Sequence, residues 1–135
     1  MENQEKIELG QKIMDKLVSE QRFKTTDVSQ DQDEGKEVFR KFATDIWLGF
    51  YCSDEGVFSF GWRVFFDSIE GSTRGILKQV LETSVFNKDF SKTQVEDPWI
   101  WREYEGDYSK PFDEIYRFFV EKFNLLEELA NNNFA

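Results

Sequence analysis

The chain has 135 residues, 27 of them acidic against 17 Lys and Arg, for a net charge of −10, with one cysteine and no histidine. That balance argues against nucleic acid or an anionic membrane as partner, since phosphate is held chiefly by Lys and Arg; a basic protein is the natural complement. Without histidine the usual general base near neutral pH and the commonest metal ligand are gone, and most hydrolase and zinc constellations go with them.

The length suits one domain, 1–135, with a single core. Fifteen Phe, four Trp and four Tyr are more aromatics than a disordered segment carries, so the chain is expected to fold. Cys52 allows no intramolecular disulfide and reads as a small core hydrophobe in a reducing cytoplasm. No apolar run approaches the ~20 residues of a membrane span, and the start Met1-Glu2-Asn3-Gln4 lacks the basic and apolar segments of a signal peptide. The expectation is a cytoplasmic protein that engages no membrane and carries no cofactor.

In chain order, Ile7, Leu9, Ile13, Met14, Leu17 and Val18 fall at helical spacing and predict an amphipathic helix over about 4–22. Residues 24–35 are polar and nearly free of core positions, which predicts a loop. Residues 36–43 are ambiguous: Val38, Phe39, Phe42 and Ala43 fit a short helix or turn, while the hairpin that follows invites a strand, and the reading favours helix or turn.

The stretch 45–67 is the densest apolar and aromatic run and reads as the central β-hairpin. Asp54-Glu55-Gly56 fits a three-residue connection whose last residue takes positive φ, a conformation glycine adopts without strain. Pairing Ser53 with Val57 then opposes Cys52 to Phe58, Phe50 to Phe60, Leu48 to Trp62 and Ile46 to Val64, all apolar. A four-residue loop would oppose Phe50 to Ser59 and Ile46 to Arg63 and mix the faces, a slip that a buried face disfavours. The second face carries Trp47, Gly49 and Tyr51 against Arg63, Gly61 and Ser59, with a shallow notch where the two glycines meet and an Arg63 placed to stack on Trp47.

Gly71-Ser72-Thr73 offers capping hydroxyls ahead of a helix over 73–86, marked by Ile76, Leu77, Val80, Leu81 and Val85. A connecting loop follows over 87–93. Alternation over 99–104 predicts a third strand, with Trp99, Trp101 and Glu103 on one face and Ile100, Arg102 and Tyr104 on the other. Pro111 opens a C-terminal helix over 111–130 with Ile115, Phe118, Phe119, Phe123, Leu126 and Leu129 as its stripe, ended by Asn131–Asn133. The fold class is therefore α+β, a small antiparallel sheet packed by three main helices.

Candidate chemistry is sparse, and no catalytic or metal-ligating residue is assigned. Asp27, Asp31, Asp33 and Glu34 are an acidic cluster, but the glycine that an EF-hand needs sixth in the loop stands fifth, counting from Asp31. Glu34-Gly35-Lys36 matches a nuclease-like acid and lysine only formally, in a polar loop. Cys52 has no base to make its thiolate, and Gly71 and Gly75 beside Arg74 lack the lysine of a phosphate loop.

What remains is the acidic aromatic segment 96–114, where Trp101, Glu103, Tyr104, Glu105, Asp107 and Tyr108 form the expected partner-binding surface: acids steer a basic partner and aromatics anchor it. The functional expectation is a non-enzymatic inhibitor of a basic protein, comparable in charge and size to immunity proteins and phage-encoded anti-defence inhibitors. The alternative is a ligand-sensing or regulatory domain using the notch of Trp47, Gly49, Tyr51, Gly61 and Arg63, and a carboxylate-based metalloenzyme is the third reading.

Overall fold

A computed structural model describes residues 2–25 and 35–134. Strands β1 (Lys24–Thr25), β2 (Gly35–Ala43), β3 (Ile46–Ser53), β4 (Phe58–Val64), β5 (Gln94–Glu96) and β6 (Trp99–Glu103) form one antiparallel sheet in the order β1-β2-β3-β4-β6-β5. Helices α1 (Asn3–Gln21), α2 (Gly71–Leu81) and α3 (Phe112–Phe134) accompany it, with a 3-10 turn at Ser84–Phe86. The fold is α+β, and its sheet is larger than the hairpin and third strand alone.

The hairpin has the register derived from its turn. Cys52 opposes Phe58, Phe50 opposes Phe60, Leu48 opposes Trp62 and Ile46 opposes Val64. Ser53 N donates to Val57 O and Gly56 N to Ser53 O, each at 3.0 Å. The Ser53 hydroxyl accepts from Glu55 N and Val57 N at 3.2 and 3.0 Å, so the loop is tied from inside. Gly56 has φ +81°, the left-handed conformation that closes such a loop.

Residues 36–43 belong to a strand, not to a helix or turn. Both faces of β2 are used: Val38 faces the core, while the neighbouring Phe39 is buried on the opposite side, 4% exposed. Two adjacent apolar residues hide a period of two and imitate helical spacing. The loop expected over 24–35 begins with a short strand, and the acidic cluster Asp27, Asp31, Asp33 and Glu34 lies outside the described residues.

Other boundaries move for identifiable reasons. α2 starts at Gly71 behind Glu70, which makes no side-chain cap, so the Ser72 and Thr73 hydroxyls do not open the helix. It ends at Leu81; Phe86 of the 3-10 turn is buried and Val85, expected on the apolar stripe, is 42% exposed. The 87–93 connection is followed by the edge strand β5. α3 continues through Asn131–Asn133 to Phe134, and Asn133 Nδ2 donates to Leu129 O at 2.7 Å.

The core lies between the sheet and the helices. Leu17 of α1, Leu81 of α2 and Phe119 of α3 are fully buried in one cluster with Leu48, Phe50, Phe58, Phe60, Trp62 and Val64. Apolar burial on this scale, about 1.5–3 kcal/mol for each such side chain, is the main stabilising term. Aromatic edges interlock within it: Phe50 meets Phe119 at 5.2 Å and Phe60 meets Phe90 at 4.5 Å. Trp62 keeps its indole N–H satisfied by donating to Leu77 O at 3.2 Å.

Arg102 is the polar exception, 5% exposed on the helix side of β6. Its guanidinium donates to Leu81 O at 2.8 Å, to Asn87 Oδ1 at 3.0 Å and to Ser91 O. It therefore closes the carbonyl end of α2, where a cation is favoured, and ties the 87–91 loop to β6. Burial lowers its pKa, with Glu82 and then Glu105 opposing that shift. Among the described residues no helix is long and apolar enough to cross a membrane.

Candidate functional site

The three helices pack on one face of the sheet, and the described helices leave the other face open. Because side chains alternate along a strand, the register fixes what this face shows. One row runs Glu37, Tyr51, Ser59, Glu103; the next Phe39, Gly49, Gly61, Trp101, Gln94; the third Lys41, Trp47, Arg63, Trp99, Glu96. Glu37 and Glu103 stand in the row nearest the Asp54-Glu55 turn, the cations Lys41 and Arg63 stand in the farthest row together with Glu96, and aromatics occur in all three.

The glycine pair does not leave a vacant notch. The Phe39 ring lies over Gly49, where a Cβ would come within 2.6 Å of Phe39 Cε1 and 3.3 Å of Trp99 Cζ3. Gly61 lets β6 approach so closely that a Cβ there would stand 2.2 Å from Ile100 O. Phe39 and Trp99 pack on each other across these glycines, tilted by 31° with ring centroids 4.9 Å apart. Arg63 lies over Phe39, 5.0 Å from its centroid, and over Phe65 at 5.3 Å, rather than on the adjacent Trp47. Trp47 instead meets Phe65 edge-on at 6.1 Å.

The residues of the two expected sites therefore regroup. Trp101 and Glu103, expected at the partner surface, stand half-buried on the same face as Trp47 and Tyr51 of the notch. A groove over this face is lined by Tyr51, Ser59, Gly61, Trp99, Trp101 and Glu103 and extends to Gln11, Met14 and Val18 of α1. Tyr104 points the other way, as its strand position requires: it is 3% exposed, so it belongs to the core and cannot anchor a partner. Its hydroxyl donates to Asp107 O at 3.1 Å, and burial pushes its pKa up to about 12.

Tyr108 is a structural pin, its hydroxyl donating to Tyr104 O and accepting from Phe58 N, both at 3.1 Å. Glu105 and Asp107 are exposed in the turn after β6. The Asp107 carboxylate accepts from Ser109 Oγ at 2.6 Å and Ser109 N at 2.8 Å, and these bonds, the side-chain one foremost, lower its pKa. Sequence reasoning missed Phe39 and Lys41 of β2, because Val38 beside Phe39 breaks the alternation that would have marked a strand.

The other candidates resolve into structure. Arg74 turns back to donate to Phe66 O at 2.9 Å and to Ile69 O, so it braces the loop before α2 rather than opening an anion site. Cys52 is buried, and desolvation raises its thiol pKa to about 12. Among the described residues no group of three His, Cys, Asp or Glu is placed to hold a metal. The open face offers stacking, cation–π contact and charge, which are the means of recognition. Compared with protein-family models, curated proteins and solved structures, the chain matches none of them.

Proposed function

We propose that this protein is a non-enzymatic binder that captures and inhibits a basic protein partner, of the immunity-protein or anti-defence type, through the open face of its sheet. The observation that carries the reading is the set of half-exposed aromatics, Trp47, Tyr51, Trp99 and Trp101, on a sheet face that the described helices leave free, in a chain of net charge −10. Rigid aromatics are the side chains that most often anchor interfaces. Trp101 with Glu103 beside it suits a Lys or Arg, which gains a cation–π contact and an opposite charge together. Glu105 and Asp107 stand at the rim, where charge acts mainly on the rate of encounter. A cytoplasmic setting fits the lone, buried Cys52.

The test is capture of one basic protein from lysate in a salt-sensitive way, followed by binding kinetics. Reversing Glu105 and Asp107 to Lys should slow association and flatten its salt dependence, whereas Trp101→Ala should speed dissociation. If neither change alters capture of a partner found this way, the open face is not the interface.

A further inference from the structure

Four arginines are buried or half-buried, and three of them are engaged by acceptors. Arg40 meets Glu127 at 2.8 Å, Arg74 donates to Phe66 O at 2.9 Å and Arg102 to Leu81 O at 2.8 Å. Arg63 differs. Its Nε, like that of Arg40, is sealed from solvent without a hydrogen-bond partner, but among the described residues no carboxylate lies within ion-pair distance of its guanidinium. What holds it is aromatic: it lies over Phe39 and Phe65 and has Trp47 and Trp99 as cross-strand neighbours.

Stacking on rings uses the flat faces of a guanidinium, and with Nε sealed it leaves the in-plane Nη donors for a ligand. Those donors form a fork that fits a carboxylate with two parallel bonds. The acids closest in the sheet are not aimed at it: Glu96 lies beyond Trp99, and the Asp97 carboxylate accepts from Phe66 N at 3.4 Å. Lys41, in the same row beyond Trp47, adds a second positive charge. We infer that Arg63, walled by Trp47, Phe65 and Trp99, is a binding site for an aromatic carboxylate. Its ring is held by the indoles and its charge by the guanidinium fork. The site shares Trp47 and Trp99 with the face proposed to capture a basic partner, but it recognises the opposite charge and its probe needs no partner protein, so either reading can fail without the other.

The probe is benzoate, with benzamide as its uncharged twin, read by the Nε–Hε resonance of Arg63 and by tryptophan fluorescence. Benzoate should give a saturable shift and benzamide none. Arg63→Lys keeps the charge but loses the fork and should weaken binding about tenfold, while Arg63→Gln should abolish it, with thermal unfolding confirming that each variant folds. Absence of a saturable response, an equal response to benzoate and benzamide, or a benzoate response that survives in Arg63→Gln would overturn the assignment. The benzoate and benzamide comparison on the unaltered protein decides the matter even if Arg63→Gln fails to fold.

Discussion

Adding one methyl group at Gly49 tests the architecture of the open face. The new Cβ would lie 2.6 and 2.8 Å from Phe39 Cε1 and Cδ1, distances at which an atom must move. Phe39 has little freedom to yield, because Trp99 packs against it at 4.9 Å and Arg63 lies over it at 5.0 Å. Overpacking of this kind costs about 1–3 kcal/mol. Restricting the unfolded chain returns roughly 0.4–1 kcal/mol. Gly49→Ala should therefore destabilise by about 1–2 kcal/mol net, a fall of roughly 4–7 °C in unfolding temperature for a chain of 135 residues. Urea denaturation of Gly49→Ala, Phe39→Ala and the double variant measures it. In the Phe39→Ala background the added methyl should cost nothing or stabilise slightly. An equal cost in both backgrounds would show that the Phe39 ring is not what the glycine accommodates.

Gly56→Val places a branched side chain at φ +81° and its Cβ 2.6 Å from Lys6 Cβ, and should lower stability by roughly 2–4 kcal/mol, while Gly56→Asn, which accepts the backbone but meets the same contact, should recover only part of it; a Gly56→Val variant as stable as the parent in a melting assay would refute the turn. Arg102→Met removes the donors to Leu81 O, Asn87 Oδ1 and Ser91 O and should cost about 3 kcal/mol or more in urea denaturation, since orphaned buried acceptors are expensive. A fully stable Arg102→Met would mean that the helix end is satisfied otherwise. The Cys52 thiol, with its pKa raised from 9.0 to about 12, should resist alkylation in the folded protein at pH 8 and react on unfolding. Its folded pKa lies above the unfolded one, so its contribution is fully present below pH 9 and is lost as pH rises from 9 to 12. Stability measured across that range should fall less steeply in Cys52→Ala.

The hairpin was readable because two independent signals agree there: a loop ending in glycine and an unbroken series of apolar pairs. β6 was readable from its run Trp99-Ile100-Trp101, rich in strand-forming side chains directly behind Pro98. β2 was not, because Val38 and Phe39 are buried on opposite faces and erase the alternation between them. β1 and β5 are two and three residues long, shorter than any periodicity that a sequence displays. The site was half legible. Alternation separated Trp101 from Tyr104 correctly, yet nothing in the order of residues says which side the helices cover, so Tyr104 was assigned to the surface. The merging of the two expected sites follows from β6 lying beside β4, a pairing between segments separated by residues 65–98.

That separation sets an order of events during synthesis. β3 and β4 are joined by a tight turn and pair as soon as both have emerged, whereas β6 reaches β4 only after residues 65–98 have been made. α3, which supplies Phe119, Phe123 and Leu126 to the core, arrives later still. A growing chain that stops before Trp99 thus carries Trp47, Tyr51 and Arg63 but lacks Trp99, Trp101 and Glu103, and its Phe60 and Trp62 have no α3 to cover them. The proposed binding face and the core are completed by the same late segments, so a truncated product has neither and is left open to proteolysis.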